Sequence, residues 1–504
     1  MPDHSPNPPP HDPHRRGWRR YRDRAAAMLS PAWWMERKHR PAVLAALLVL
    51  VIVGGVLAYE DLKRPGDIRN TAAAFEGNEA KLREKTVNWP LYGYNRARTR
   101  YLAAKGLKPP FKRLWKYGDR PLLEFPPIYV RERLFLLDNN GHALALDADT
   151  GKVLWKRRVG RLNASSPTYA RHRLFVVNLE PGQVLALNER NGKTEWKKEL
   201  GSRSESSPLV VRNRVFFGDE GGTLHAVDRR NGNTIWRSSL CGAIKAAPAY
   251  RDGTLFVGDY GGCMSAVNTR NGAIRWQTSS QGLGFGSTGA FYSTPAVAFG
   301  RVYSGNNDHR VYSFDAKDGT VAWSHSTGGY VYSGPAVADT PNTGPTVYIG
   351  SLDGNAYAIN AKTGETRWSR SVGGRILGSL SAVGNIVYAG TYEGTTTYGF
   401  AMRKGRTVFK YGTGGANSPA ISDGQRIYLT GYSSVTALQP LTRKQIRKRR
   451  AVKRERAKKA AARKQHRRRA AAQRQRRRKA AAQKQGRKGG EGKKQERKKS
   501  SESS

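Results

Sequence analysis

A phrase of eleven residues ending in an aromatic ring returns along this chain at a nearly constant interval. It reads ALDADTGKVLW at 145–155, ALNERNGKTEW at 186–196, AVDRRNGNTIW at 226–236 and AVNTRNGAIRW at 266–276. It continues as SFDAKDGTVAW at 313–323, AINAKTGETRW at 358–368 and, degraded, GFAMRKGRTVF at 399–409. Upstream of each copy a proline opens a short apolar run, at Pro127, Pro167, Pro208, Pro248, Pro295, Pro335 and Pro419, with Ser381 in the equivalent place. The spacings are 40, 41, 40, 47, 40, 46 and 38 residues. A period near 40 with four short strands per unit is the pattern of a β-propeller blade.

The third unit shows the strands. SSPLVV reads as the inner strand, VFFGD as the second, TLHAVD as the third and TIWRSSL as the outer one. Arg-Asn, Glu-Gly-Gly and Arg-Arg-Asn-Gly between them are turn sequences. Eight inner strands are present, but the eighth unit has no tryptophan phrase after it. The missing outer strand stands before the first blade, as FKRLWKYG at 111–118. The expected fold is therefore all-β, an eight-bladed β-propeller over 89–441 closed by an N-terminal strand, which leaves no exposed sheet edge at the joint. Trp115, Trp155, Trp196, Trp236, Trp276, Trp323, Trp368 and Phe409 are expected to dock each blade on the next. Burying an indole of roughly 200 Å² stabilises such a joint by several kcal/mol before costs.

The flanks have a different composition. Residues 1–40 form a basic leader with 9 Lys/Arg against 4 Asp/Glu, and Pro41–Tyr59 carries no charge. Nineteen residues at 1.5 Å each give about 29 Å, enough to cross the hydrocarbon of a bilayer. Trp33, Trp34 and Tyr59 suit the interfaces, and the excess of Lys/Arg before the span places the N-terminus in the cytoplasm and the propeller outside. The expected arrangement is thus a single-pass cell-membrane anchor; the competing reading is a cleaved signal at Val56-Leu57-Ala58. Residues 60–88 read as a stalk, helical in part from Ala72 to Lys85. Of the net charge of +50, half sits in the last 62 residues. This tail, 442–504, is rich in Lys, Arg, Ala and Gln, and reads as disordered or as a fraying helix because like charges three and four apart repel. Its expected partner is an anionic polymer: a wall polymer, lipid head groups or nucleic acid.

The AxDxxTGxxxW phrase resembles the repeats of pyrroloquinoline-quinone-like propellers, and WPLYGYNRARTRY at 89–101 is similar to the segment before the first blade in that group. The family holds quinoprotein alcohol dehydrogenases and non-enzymatic relatives, among them the propeller lipoprotein of outer-membrane assembly. In the dehydrogenases the resemblance implies a quinone in the central channel over a tryptophan, Ca²⁺ held by a carboxylate and an Asn, a vicinal Cys-Cys disulfide and an Asp base. This chain has two cysteines, Cys241 and Cys263, which are not adjacent. They form either one disulfide or two buried thiols. No tryptophan is left over for a channel floor, and connections are short. The expectation is a non-catalytic scaffold with no cofactor and no metal, the alternatives being a quinoprotein with quinone and Ca²⁺ or a nucleic-acid adaptor driven by the tail.

Smaller motifs carry less. Asp147-Ala-Asp149-Thr-Gly151 resembles a calcium loop only in its first positions and reads as a capped turn. The 47-residue spacing adds an insertion at Ser279–Tyr292. With Phe285, Phe291 and Tyr292 as anchors, and Asn306, Asn307, Asp308 and His309 in a neighbouring turn, it is the candidate ligand face, expected to receive a protein partner.

Overall fold

The computed structural model describes residues 40–63, 65–77, 87–118, 121–284, 288–415 and 420–500. Within the two helices, side chains are described for residues 44–55 and as far as 478. Eight antiparallel sheets form the blades of a propeller, and among the described residues the helices are α1 (Arg40–Lys63) and α2 (Arg443–Ser500). Blade one is Ile128–Val130, Arg133–Leu137, His142–Asp147 and Val153–Arg158, and blades two to seven repeat that order. Blade eight takes its outer strand from the beginning of the propeller. Phe111–Gly118 pairs antiparallel with Ser434–Pro440, setting Trp115 opposite Ala437. The ring is closed by hydrogen bonds between residues more than three hundred positions apart in sequence.

The core lies between neighbouring sheets. Phe135 and Trp155 of blade one, for example, pack with Leu174 and Leu187 of blade two. Each outer-strand indole lies on the turn of the following blade and donates its N–H to a carbonyl there. Trp155 Nε1 donates to Glu189 O at 3.1 Å, Trp236 to Thr269 O at 3.1 Å and Trp368 to Met402 O at 2.8 Å. The turn glycine under the ring has two reasons to be glycine. Gly272 has φ +78°, and a Cβ there would stand 2.7 Å from Cε3 of Trp236. Phe409, without a donor, packs edge-on against Phe111 at 5.3 Å.

The two faces of the disc follow from strand direction. Connections from outer to inner strands and turns between second and third strands share one face, here the mouth face. Turns between first and second strands, and the tryptophan-phrase turns, share the opposite face.

Residues 65–77 correct the expectation of a stalk. They lie along the edge of blade five, where Ser324 N donates to Ile68 O at 3.1 Å and Asn70 N to Ala322 O at 2.8 Å. Residues 72–77 are not helical. The carbonyls of Ala73 and Ala74 are instead taken by Arg301, and Phe75 stacks on Phe299 at 5.3 Å.

Among the described residues no helix is long and apolar enough to cross a membrane. The expected span is helical as α1, but its side chains are described over 44–55 alone, about 18 Å of helix. The tail, expected to be disordered or helical, is one helix of 58 residues. Thr442 and Gln445 cap it reciprocally, Thr442 N donating to Gln445 Oε1 at 2.9 Å and Gln445 N to Thr442 Oγ1 at 3.3 Å.

Gly272→Ala adds a left-handed backbone penalty of about 1–2 kcal/mol to an overpacking cost of about 1–3 kcal/mol. The substitution is expected to lower stability by about 2–5 kcal/mol, read as a lower denaturant midpoint with an unchanged slope.

Candidate functional site: the plugged channel and its mouth

A ring of eight blades leaves an axial channel, and the chain fills it with its own residues 89–102. This segment visits the blades in turn. Trp89 bridges Tyr129 of blade one, Tyr169 N of blade two donates to Pro90 O, and Arg96 Nε donates to Val210 O of blade three. Tyr250, Val297, Val337 and Ala382 of blades four to seven then donate their N–H groups to the carbonyls of Arg96, Ala97, Thr99 and Arg100 at 2.8–2.9 Å. Tyr101–Leu102 ends the circuit as a short strand parallel to Ser381–Val383.

Two arginines pin this plug, both fully buried and both at positive φ (55° and 51°). Arg98 donates to the carbonyls of Pro248, Ser207, Pro208 and Tyr92, linking blades three and four through one guanidinium. Burial, with Arg100 beside it, lowers its pKa to about 9. Arg100 Nη1 donates to Arg98 O at 2.9 Å and Pro335 O at 3.1 Å, and the guanidinium carbon lies 5.0 Å from the Tyr92 ring centroid. The sequence signal for the plug is the excess of Tyr and Arg in WPLYGYNRARTRY just ahead of the repeats.

Above the plug, five equivalent positions three residues before the inner-strand prolines form the mouth: Glu124, Glu205, Lys245, Tyr292 and Tyr332. Lys245 Nζ bonds Glu205 at 2.8 Å and Glu220 at 3.0 Å and lies 5.6 Å from the Tyr260 ring centroid. Burial works against the charge on Lys245, but the two carboxylates outweigh it and raise its pKa. Burial raises Glu205 as well. The rings continue the wall, Tyr292 meeting Tyr260 at 6.0 Å and Tyr332 at 5.2 Å. Burial pushes the Tyr260 phenol up to about 12 and Tyr292 well above its ordinary value, so both remain neutral donors.

The predicted ligand face is brought together only in part. Tyr292 lines the mouth, and His309 lies at its rim, edge-on to Tyr330 at 4.9 Å. Asn307 is half-buried. Phe291, expected as a surface anchor, is fully buried against Tyr312 and Phe314. The insertion folds inward there because the space beside Gly258 admits a ring. Asn306 and Asp308 are also buried and fasten the insertion: Asn306 Nδ2 donates to Gly289 O at 2.7 Å, and Asp308 Oδ2 accepts from Gly282 N at 3.2 Å. Phe285 lies outside the described residues. Asp147 caps its turn, accepting from Thr150 Oγ1 at 2.7 Å and Thr150 N at 2.8 Å, bonds that lower its pKa.

Cys241 and Cys263 are bonded, their Cα atoms 6.1 Å apart. The bond ties the connection leaving blade three to the third strand of blade four. Asp259 lies beside it, and ligand atoms of the three residues fall within 4.8 Å of one another. Both sulfurs are committed to the disulfide. The residues present do not fit the quinone arrangement of the dehydrogenases. The cysteines are not vicinal, the blade tryptophans are at the joints, Trp89 is buried against Tyr94, and the channel is occupied by residues 89–102.

Comparison with known proteins fits this geometry. The family described as outer membrane protein assembly factor BamB matches residues 112–246, 220–449 and 331–487. The chain belongs to this BamB-like family of quinoprotein-type propellers. BamB from Moraxella catarrhalis has 17% sequence identity and a TM-score of 0.56, covering 66% of this chain and 100% of its own. A europium-containing methanol dehydrogenase has 13% identity and a TM-score of 0.60, covering 71% and 99%. These likenesses establish the shared propeller fold. Tetrathionate hydrolase of Acidithiobacillus ferrooxidans is 37% identical over 65 residues, 13% of either chain. The chain thus spans about an eighth of the length of that curated relative.

Asp259 supplies a pH test of the mouth. Burial raises its pKa from an ordinary 3.8 to about 6. The folded state therefore binds a proton that the unfolded chain has released between those values, and stability falls as pH rises from about 4 to 6. Asp259→Asn is expected to flatten that part of the profile, measured as the denaturant midpoint at each pH.

Proposed function

We propose that this protein is a membrane-anchored, extracytoplasmic propeller without catalytic activity of its own, a scaffold that binds partners in envelope assembly. The observation that carries the reading is the lack of the dehydrogenases' donor set: Cys241 and Cys263 are bonded but not vicinal, and the blade tryptophans are at the joints between blades. What remains is a shallow mouth of tyrosines, two glutamates bonded to one lysine, and short connections, a surface for a polypeptide partner. Membership of the family of outer membrane protein assembly factor BamB supports the same role.

Two features support the anchor. Pro41–Tyr59 carries no charge. The described apolar side chains of α1 are exposed all round, from 48% at Val53 to 70% at Val51, which leaves lipid as the medium to cover them. The excess of basic residues before the span supports a cytoplasmic N-terminus. Helix α2 is the polyanion-binding element, with charge on every side and no apolar stripe.

Two measurements test these roles. Purified protein supplied with quinone and Ca²⁺ is expected to gain neither cofactor absorbance nor dye-linked alcohol oxidation. Stoichiometric quinone uptake would place the oxidoreductase reading first. Against an anionic polymer, affinity should fall linearly on log–log axes with salt, by a slope of about 0.9 per phosphate neutralised on duplex DNA. Truncation after Leu441 should abolish that binding while leaving propeller melting nearly unchanged. Equal binding and slope in the truncated protein would assign the effect to the propeller instead.

A further inference from the structure

The segment that joins α1 to the propeller is docked on a blade. Pro65 O accepts from Arg310 Nη2, and Gly66 O accepts from Gln281 Nε2 at 3.1 Å. Asp67 Oδ1 accepts from Ser326 N at 2.9 Å and Ser326 Oγ at 2.6 Å. The chain then runs antiparallel to the outer strand of blade five through Ile68 and Asn70, and Glu76 N donates to Phe299 O at 3.1 Å on the opposite face. Residues 65–76 are thus a strap laid from the mouth face to the opposite face along one blade edge, held at both ends.

Three consequences of this path concern orientation. The strap begins at Pro65, two residues after α1 ends at Lys63, a link of at most about 7 Å. Arg310 joins the strap's first residue to the insertion, since its Nη1 also donates to Gly282 O at 3.1 Å. Beside that bond Leu283 is exposed at 36%, and Tyr330, edge-on to His309 on the same face, at 41%: an aliphatic and an aromatic side chain of the kind found at membrane interfaces. Helix α2 leaves elsewhere. The strand Ser434–Pro440 runs away from the mouth face, and Leu441 N donates to Pro110 O at 2.9 Å on the far side.

We infer that the mouth-face rim of blade five is a membrane-apposed surface, held against the bilayer that carries α1 by the docked strap 65–76. This rests on the reading of α1 as a membrane anchor. The channel mouth then opens beside that bilayer, where a membrane-embedded polypeptide can reach it. The root of α2 stands on the distal face, the seven-residue strand Ser434–Pro440 or about 23 Å away.

The test uses the full chain in vesicles of phosphatidylcholine with a minor anionic lipid and a head-group-attached quencher. The native cysteines are bonded to each other, so a single introduced cysteine labels selectively. Quenching of a fluorophore at Leu283→Cys is expected to exceed that at Lys317→Cys, on the distal face of the same blade, several-fold. Replacing Asp67 and Phe75 by alanine should loosen the strap and bring the two values together. Equal quenching in protein with an intact strap overturns the inference. Stronger quenching at Lys317→Cys overturns it too, by reversing the orientation. Co-flotation of unlabelled protein with the vesicles is measured alongside. Failure to float overturns the anchor and the inference with it, whereas flotation with equal quenching overturns the strap alone.

Discussion

Seven of the eight blades are completed by the one that follows in the same way: an indole from one outer strand lies on the turn glycine of the next blade and donates its N–H to a carbonyl there, while blade seven presents Phe409 instead. Neither half of that joint is stable alone. The turn leaves a carbonyl to be satisfied, and the ring leaves a large apolar face to be covered. Around a circle these dependencies close only if the last blade also meets the first. Trp115 completes the circle, over the Gly151 turn, donating to Ala148 O at 3.0 Å. The strand that carries it is therefore as necessary to blade one as to blade eight.

Closure creates the next difficulty. Eight blades of four strands leave an axial opening whose inner strands still have N–H groups and carbonyls to satisfy. Residues 89–102 meet them one blade at a time, which requires a chain that turns continuously. Positive φ at Gly93, Tyr94, Arg98 and Arg100 provides the turning. The arginines at these positions then spend their donors on main-chain carbonyls of separate blades. A guanidinium can do this because it presents five N–H groups in a fixed plane. The plug thus couples blades that do not touch one another.

The blades and the closing strand were legible in the sequence because both depend on periodic spacing, and periodicity survives without neighbours in view. The plug's path was not, since WPLYGYNRARTRY makes its bonds to seven different blades and repeats nothing. The strap was misread as a stalk for a related reason. Asp67, Arg69 and Asn70 look like solvent-facing residues until the open edge of blade five is placed beside them. Phe291 marks the limit for the site. A seven-residue insertion signals a loop, but whether its aromatic ring faces outward depends on the gap beside Gly258, which belongs to another part of the chain.

The chemistry left at the mouth bears on what it can recognise. Lys245 stands between Glu205 and Glu220, so its charge is already matched, and the surrounding phenols are held neutral by burial. In a chain of net charge +50 this is a patch with little positive field. A polypeptide partner of the kind proposed would be recognised there through ring faces, hydroxyl donors and shape, the means by which aromatic-rich interfaces hold polypeptides. The role proposed for the basic helix would rest on the opposite principle, long-range attraction that salt weakens. Under the roles proposed, the two modes would stand on opposite faces of the disc, so that neither partner competes for the other's surface, and the strap would set which face stands nearer the bilayer.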